Sequence, residues 1–139
     1  MTRFVLDASV ALRWFLAKPV PAYAHRVKRL MLAGTRAVVP ALWHLEIANG
    51  LAVAERRGIL TAPDVDRCVA DIEALLGQAI TTDPGLVTVR QALTTARGFG
   101  LSAYDAAYLD VARRERLPLA TLDEALQAAA AKSGVVVVP

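Results

Sequence analysis

Short, continuous apolar runs alternate along this chain with longer amphipathic stretches, and this alternation restricts the fold more than any other feature. Five runs are too short for helices and predict buried strands, at 3–6, 37–39, 79–81, 117–121 and 135–138. The spacing of apolar residues and the capping signals between them predict seven helices, at 8–17, 22–33, 41–57, 62–76, 84–97, 103–115 and 123–132. Apolar strands between amphipathic helices indicate a mainly parallel sheet covered on both faces, so we predict a three-layer α/β/α fold.

Length and charge pattern narrow the class of protein. The chain of 139 residues predicts a single domain over 1–139. Charges interrupt its apolar stretches before they reach the ~20 residues of a membrane span, and Asp7 and Arg13 interrupt the only candidate signal sequence. We therefore expect a soluble, cytoplasmic protein with no membrane partner. The net charge of +3, carried mostly by arginine, slightly favours a nucleic-acid partner.

The single cysteine limits the covalent and metal chemistry of the chain. One cysteine, Cys68, excludes an intrachain disulfide and a cysteine-based zinc site. Cys68 falls on an apolar helical stripe, which predicts a buried thiol.

Four carboxylates lie in apolar surroundings where no neighbour compensates their charge. Asp7 and Asp123 each follow a predicted strand. Glu46 and Asp105 lie within strongly apolar helical segments, and neither has a Lys or Arg three or four residues away. Ligands of parallel sheets bind outside the carboxyl ends of the strands, so we expect the four acids to converge there. Unpaired carboxylates in one place predict a site for a hard divalent cation.

Three of the acids also have ordinary structural explanations. Asp7 and Asp123 could each cap the helix that follows, because aspartate is a common N-cap residue. Asp105 comes three residues after Ser102, a spacing that resembles a capping box. From the residues alone, both interpretations of these acids remain open.

Glu46 is harder to place on the surface, because the apolar residues around it leave little polar face on its helix. Asn49, three residues later, falls on the same face and could donate a hydrogen bond to Glu46. Asp110, in contrast, is predicted to be a solvated surface acid that pairs with Arg113 and Arg114.

Four segments, in this order, resemble the motifs of the PIN-domain family, and in particular the VapC toxins of prokaryotic toxin–antitoxin modules. They are Val5-Leu6-Asp7-Ala8-Ser9, Trp43-His44-Leu45-Glu46-Ile47-Ala48-Asn49, Leu101-Ser102-Ala103-Tyr104-Asp105-Ala106-Ala107-Tyr108 and Leu119-Ala120-Thr121-Leu122-Asp123. The resemblance covers nearly the whole chain. It departs mildly at Leu126, where many relatives carry an aromatic residue.

The resemblance implies a Mg²⁺- or Mn²⁺-dependent endoribonuclease that is inhibited by a small cognate VapB-like antitoxin and is usually a homodimer. Its substrate would be RNA, with tRNA and rRNA as candidates. The residues assigned to the metal, directly or through water, are Asp7, Asp105 and Asp123. Glu46 would orient or deprotonate the attacking water, or bind a second ion. The groups expected to hold the carboxylates in place are Ser9, Asn49 and Thr121.

Two alternative functions remain open at this point. A signalling receiver domain also has an acidic Mg²⁺ pocket at the strand ends, but it needs a lysine at the end of a late strand. The lysines of this chain all lie in or beside helices: Lys18, Lys28 and Lys132. A catalytically silent PIN-like domain that only binds RNA or protein is the other alternative, and the intact set of four acids argues against it.

Overall fold

A computed structural model describes residues 1–139. The elements in chain order are β1 (Arg3–Leu6), α1 (Ala8–Leu16), α2 (Ala22–Leu32), β2 (Arg36–Val39), α3 (Leu42–Arg56), α4 (Ala62–Gln78), β3 (Ile80–Thr82), α5 (Val89–Phe99), α6 (Ala103–Glu115), β4 (Leu119–Ala120) and α7 (Glu124–Lys132). The four strands form one parallel sheet in the order β3-β2-β1-β4. The predicted three-layer α/β/α class is confirmed.

Strand β1 lies inside the sheet, between β2 and β4, and this position determines where its last residue emerges. Phe4, Val5 and Leu6 are fully buried, as expected for a strand that is covered on both faces. The Asp7 N–H continues the ladder by donating to the Ala120 carbonyl at 3.0 Å. Asp7 is therefore held at the carboxyl edge of the sheet, beside the end of β4.

Two groups of helices cover the sheet. Helix α1 packs against α2 and α3, whereas α6 packs against α5, α7 and the strands β1 and β4. Helices α1 and α3 come close at Gly50, where an added Cβ would lie 2.6 Å from Leu12 Cδ2. Cys68 is buried, as predicted, and Leu126 is fully buried in the core. None of the helices has the length and apolar character that crossing a membrane requires.

The fifth helix starts later than the sequence predicts. The helix expected at 84–97 begins at Val89, with Thr88 as its N-cap. Asp83, which directly precedes the predicted helix and stands where its N-cap would be, accepts from Arg114 Nη2 at 2.6 Å through one oxygen and from the Gly85 N–H at 3.1 Å through the other. The turn that the Gly85 bond closes does not continue into a helix, and Thr88, whose Oγ1 accepts from the Gln91 N–H at 3.3 Å, caps α5 instead. The segment between β3 and α5 therefore runs as a loop.

The last two predicted strands are shorter than expected. The run at 117–121 forms a ladder only at Leu119 and Ala120, because Pro118 has no N–H to donate to a neighbouring strand. The run at 135–138 forms only an isolated parallel bridge, between Val137 and Leu119. The prediction of a fifth full strand is therefore wrong.

Candidate acidic active site

The carboxylate of Asp7 is buried and is held by two hydroxyl groups. Asp7 Oδ2 accepts hydrogen bonds from Ser9 Oγ and from Thr121 Oγ1, each at 2.7 Å. Ser9 Oγ in turn accepts from the Leu122 N–H at 3.1 Å, and Thr121 Oγ1 accepts from the Asp123 N–H at 3.0 Å. Each hydroxyl has one proton, and both protons are directed at Asp7. The segment after β4 thus orients the acid that follows β1.

Helix capping accounts for only one of the three acids to which it could apply. Asp7 precedes α1, but its side chain makes no capping hydrogen bond. Asp123 does cap α7, since its Oδ2 accepts from the Leu126 N–H at 2.8 Å. At α6, Ser102 Oγ accepts from the Asp105 N–H at 3.1 Å, and the reciprocal bond of a capping box is absent. Capping therefore leaves the charges of Asp7 and Asp105 unexplained.

Glu46 reaches the same region from α3 and binds a residue that the sequence reasoning missed. Tyr108 Oη donates to Glu46 Oε1 at 2.7 Å, and it lies 3.4 Å from the Ala8 nitrogen, from which it accepts. Asn49 is exposed and makes no hydrogen bond to Glu46, so that expected contact is wrong. Tyr108 comes three residues after Asp105, and its place on the same helical face was the signal available in the sequence.

Asp7, Glu46 and Asp105 each have a raised pKa, to which the charges of neighbouring acids contribute. Burial raises the pKa of Asp7, and the charge of Asp123 adds to this effect. Burial likewise raises the pKa of Glu46, with further contributions from Asp7 and Asp105. Burial also raises the pKa of Asp105, to which Asp123 and Asp7 add. The structure has three ion pairs, and none of them involves these acids, so no side-chain cation compensates their mutual repulsion.

The chemistry of this donor set suits a hard divalent cation. All four side chains offer carboxylate oxygens, which are the ligands that Mg²⁺ and Mn²⁺ prefer. Their placement, however, does not bring three acids within reach of one ion. Mg²⁺ usually takes one or two carboxylates and keeps several waters, so the cluster fits an ion held partly through water.

Asp110 is not the surface acid that the sequence predicts. It is half-buried and accepts from Thr95 Oγ1 at 2.7 Å, across the contact between α5 and α6. Arg114 pairs instead with Asp83, and Arg113 forms no ion pair. Asp110 is not solvated as predicted because α5 packs on this side of α6 and places the Thr95 hydroxyl against it. Asp110 remains outside the acidic cluster.

A parallel α/β/α sheet with unpaired acids at its carboxyl edge agrees with the family that the four sequence motifs resemble. The chain belongs to the PIN domain family, whose model matches residues 4–132. PIN domains are generally nucleases and typically use divalent metals. Membership in this family leaves the signalling-receiver alternative without support.

Among solved structures, ten chains match this one. One is the crystal structure of PAE2754 from Pyrobaculum aerophilum, which is similar at a TM-score of 0.67 and 26% sequence identity, covering 92% of this chain and 79% of that chain. No curated protein matches the sequence.

Proposed function

We propose that this protein is a Mg²⁺- or Mn²⁺-dependent endoribonuclease and acts as the toxin of a VapBC-type toxin–antitoxin system. The observation that carries the proposal is the convergence of Asp7, Glu46, Asp105 and Asp123 at one sheet edge without a basic partner. Such a cluster is costly unless it binds a cation. Membership in a family of nucleases supports hydrolysis of a phosphodiester as the reaction.

Each acid has a distinct part in this proposal. Asp7, Asp105 and Asp123 hold the divalent ion, directly or through water. When bound, the ion lowers the pKa of a water molecule and offsets the charge that develops on the phosphate oxygens. Asp7 accepts the most side-chain hydrogen bonds of the three, because Ser9 and Thr121 both donate to one of its oxygens.

Glu46 is the candidate for a general base, because the other three acids are assigned to the ion. Its carboxylate is half-buried, and its pKa is raised above the ordinary value by burial and by the neighbouring acids. A base is most effective when its pKa approaches the working pH, so this shift favours proton abstraction from a water. The alternative role, in which Glu46 binds a second ion, uses the same oxygens.

The direct test is cleavage of RNA by the purified protein. We expect cleavage of a panel of tRNA and rRNA with Mg²⁺ or Mn²⁺ and none in EDTA. The matched control for variants of the four acids is Asp110→Asn. Asp110 is half-buried on α6, the helix that carries Asp105, but it lies outside the cluster, so this variant should keep its activity. A protein that binds RNA but never cleaves it would favour the catalytically silent alternative.

Self-association is part of the proposal and is supported by apolar side chains at α5. Leu86 and Val89 are 84% and 85% exposed, and Leu93 follows Val89 by one helical turn and is 44% exposed. Exposed apolar groups that cluster in this way mark protein interfaces. We expect a homodimer by light scattering, and Val89→Arg should shift it to a monomer. The control Leu32→Arg, at the end of α2, changes an apolar residue that is 74% exposed, and this variant should remain dimeric.

The antitoxin of this proposal would be recognised by its effect on activity. A cognate VapB-like partner is expected to bind the protein and suppress RNA cleavage.

A further inference from the structure

The hydroxyl of Tyr108 joins three of the segments that carry the acids. The side chain is fully buried on α6, one turn after Asp105. Its oxygen lies 2.7 Å from Glu46 Oε1 on α3 and 3.4 Å from the nitrogen of Ala8, which directly follows Asp7. A single atom thus connects α6, α3 and the start of α1 beneath the acidic cluster.

The direction of these two hydrogen bonds is set by their chemistry. The backbone N–H of Ala8 can only donate, so the Tyr108 oxygen accepts from it. The hydroxyl has one proton, and the carboxylate of Glu46 is its acceptor. Glu46 Oε1 therefore accepts one hydrogen bond, from Tyr108, and the second oxygen of Glu46 has no protein partner in the structure.

Glu46 needs such a restraint because its surroundings do not otherwise provide one. It is half-buried in the middle of α3, and the negative charges of Asp7 and Asp105 act on it. Like charges repel, and a glutamate with three rotatable bonds is free to turn toward solvent unless a donor holds it. Asn49, the donor expected on the same helix, does not contact it.

We propose that Tyr108 is a positioning residue whose hydroxyl holds the Glu46 carboxylate beside Asp7 and Asp105. The inference rests on the proposed ribonuclease function. Tyr108 does not itself contact the reacting atoms; it acts through Glu46.

The test compares the variants Tyr108→Phe and Glu46→Gln, the double variant, and the control Thr95→Val. Tyr108→Phe removes one hydroxyl and keeps the buried ring. Thr95→Val removes another buried hydroxyl that donates to a carboxylate at 2.7 Å, but this carboxylate is Asp110, outside the cluster. The control therefore reproduces the loss of the bond without disturbing Glu46.

We expect Tyr108→Phe to lower kcat by about 10- to 100-fold with little change in KM, the scale seen when a group that orients a functional side chain is lost. Thr95→Val should keep the wild-type kcat. The double variant should be no slower than Glu46→Gln alone. Once Glu46 is replaced, the hydroxyl of Tyr108 has no functional carboxylate to position, so its loss has no further effect. Coupling of this kind distinguishes positioning from a general loss of structure, whose effect would multiply with that of Glu46→Gln.

The opposite results would overturn the inference. One such result is that Tyr108→Phe keeps full activity whereas Glu46→Gln is impaired. The other is that the kcat losses of the two single variants multiply in the double variant. Absence of cleavage by the wild type would instead overturn the proposed function, and the inference with it. Melting curves check that each variant folds. If Tyr108→Phe does not fold, para-fluorophenylalanine at this position fills the space of the hydroxyl without donating, and the same coupling is measured.

Discussion

Asp105→Asn is expected to abolish RNA cleavage and to leave the metal-free protein at least as stable as the wild type. Asparagine keeps the size of the side chain but removes the charge that the proposed ion requires. The start of α6 is unaffected, because Ser102 Oγ accepts from the backbone N–H of residue 105 and not from its side chain. Cleavage is measured with Mg²⁺ and with Mn²⁺, and we expect at least about a 100-fold loss of rate with either ion, the upper range for loss of a group that supports a metal site.

The effect of Asp105→Asn on stability has a defined dependence on pH. Burial and the charges of Asp123 and Asp7 raise the pKa of Asp105 in the folded protein. A group of this kind favours folding below its unfolded pKa of about 3.9, and that contribution is lost as the pH rises through the higher folded value. Asparagine does not titrate, so the variant does not lose this contribution. Its higher stability relative to the wild type is therefore present at neutral pH and disappears in acid. We expect the free energy of unfolding of the variant at neutral pH to exceed that of the wild type by between zero and about 1 kcal/mol, the scale of a partly solvated charge interaction.

Denaturant unfolding in EDTA, at neutral and at acid pH, measures this difference. Asp110→Asn is again the matched control, because the same change on the same helix occurs outside the acidic cluster. A large loss of stability in metal-free Asp105→Asn would mean that the side chain has a structural role. The assignment of Asp105 to the metal site would then be withdrawn.

Addition of Mg²⁺ or Mn²⁺ is expected to raise the melting temperature of the wild type by several degrees and to leave Asp7→Asn unchanged. A ligand at ~100 times its dissociation constant adds about 2.7 kcal/mol to the free energy of unfolding, which corresponds to a shift of this size. Asp7 is chosen because it is buried and because Ser9 and Thr121 hold it in place. An amide at this position removes the negative charge that attracts the cation.

Thermal melting is recorded with each ion and with EDTA for the wild type, Asp7→Asn and Asp110→Asn. The Asp110→Asn protein should respond to metal as the wild type does. A wild type whose melting temperature does not change over a wide range of metal concentration would contradict the expectation. The acids would then hold no divalent ion in the free protein, and a metal site that is completed only when RNA binds would be the remaining metal-dependent explanation.

Much of the fold could be predicted because its signals are local. Apolar runs, capping residues and helix-ending glycines each lie within a few residues of the strand or helix that they indicate. The start of α5 could not be predicted in this way: Asp83 pairs with Arg114, 31 residues later, and Thr88 caps the helix instead. A side chain that resembles a helix cap in sequence is engaged by a distant arginine in the structure.

The acids of the candidate site could be predicted from their apolar surroundings, but most of their contacts could not. The link between Glu46 and Tyr108 spans 62 residues and exists only once α3 and α6 are packed on the sheet. Asn49 illustrates the limit of helical spacing: three residues advance a helix by about 300°, which leaves Asn49 about 60° away from Glu46. Glu46 turns toward Tyr108, whereas Asn49 remains exposed.

The bonds between Ser9 and Leu122 and between Ala8 and Tyr108 join positions 113 and 100 residues apart. During synthesis on a ribosome, Asp7 and Glu46 therefore emerge long before the groups that hold them. Thr121, whose hydroxyl holds Asp7, is among the last of these groups to be made. A chain that ends before Asp123 lacks one of the four acids, so the reaction proposed for the assembled cluster can begin only after this residue has left the ribosome.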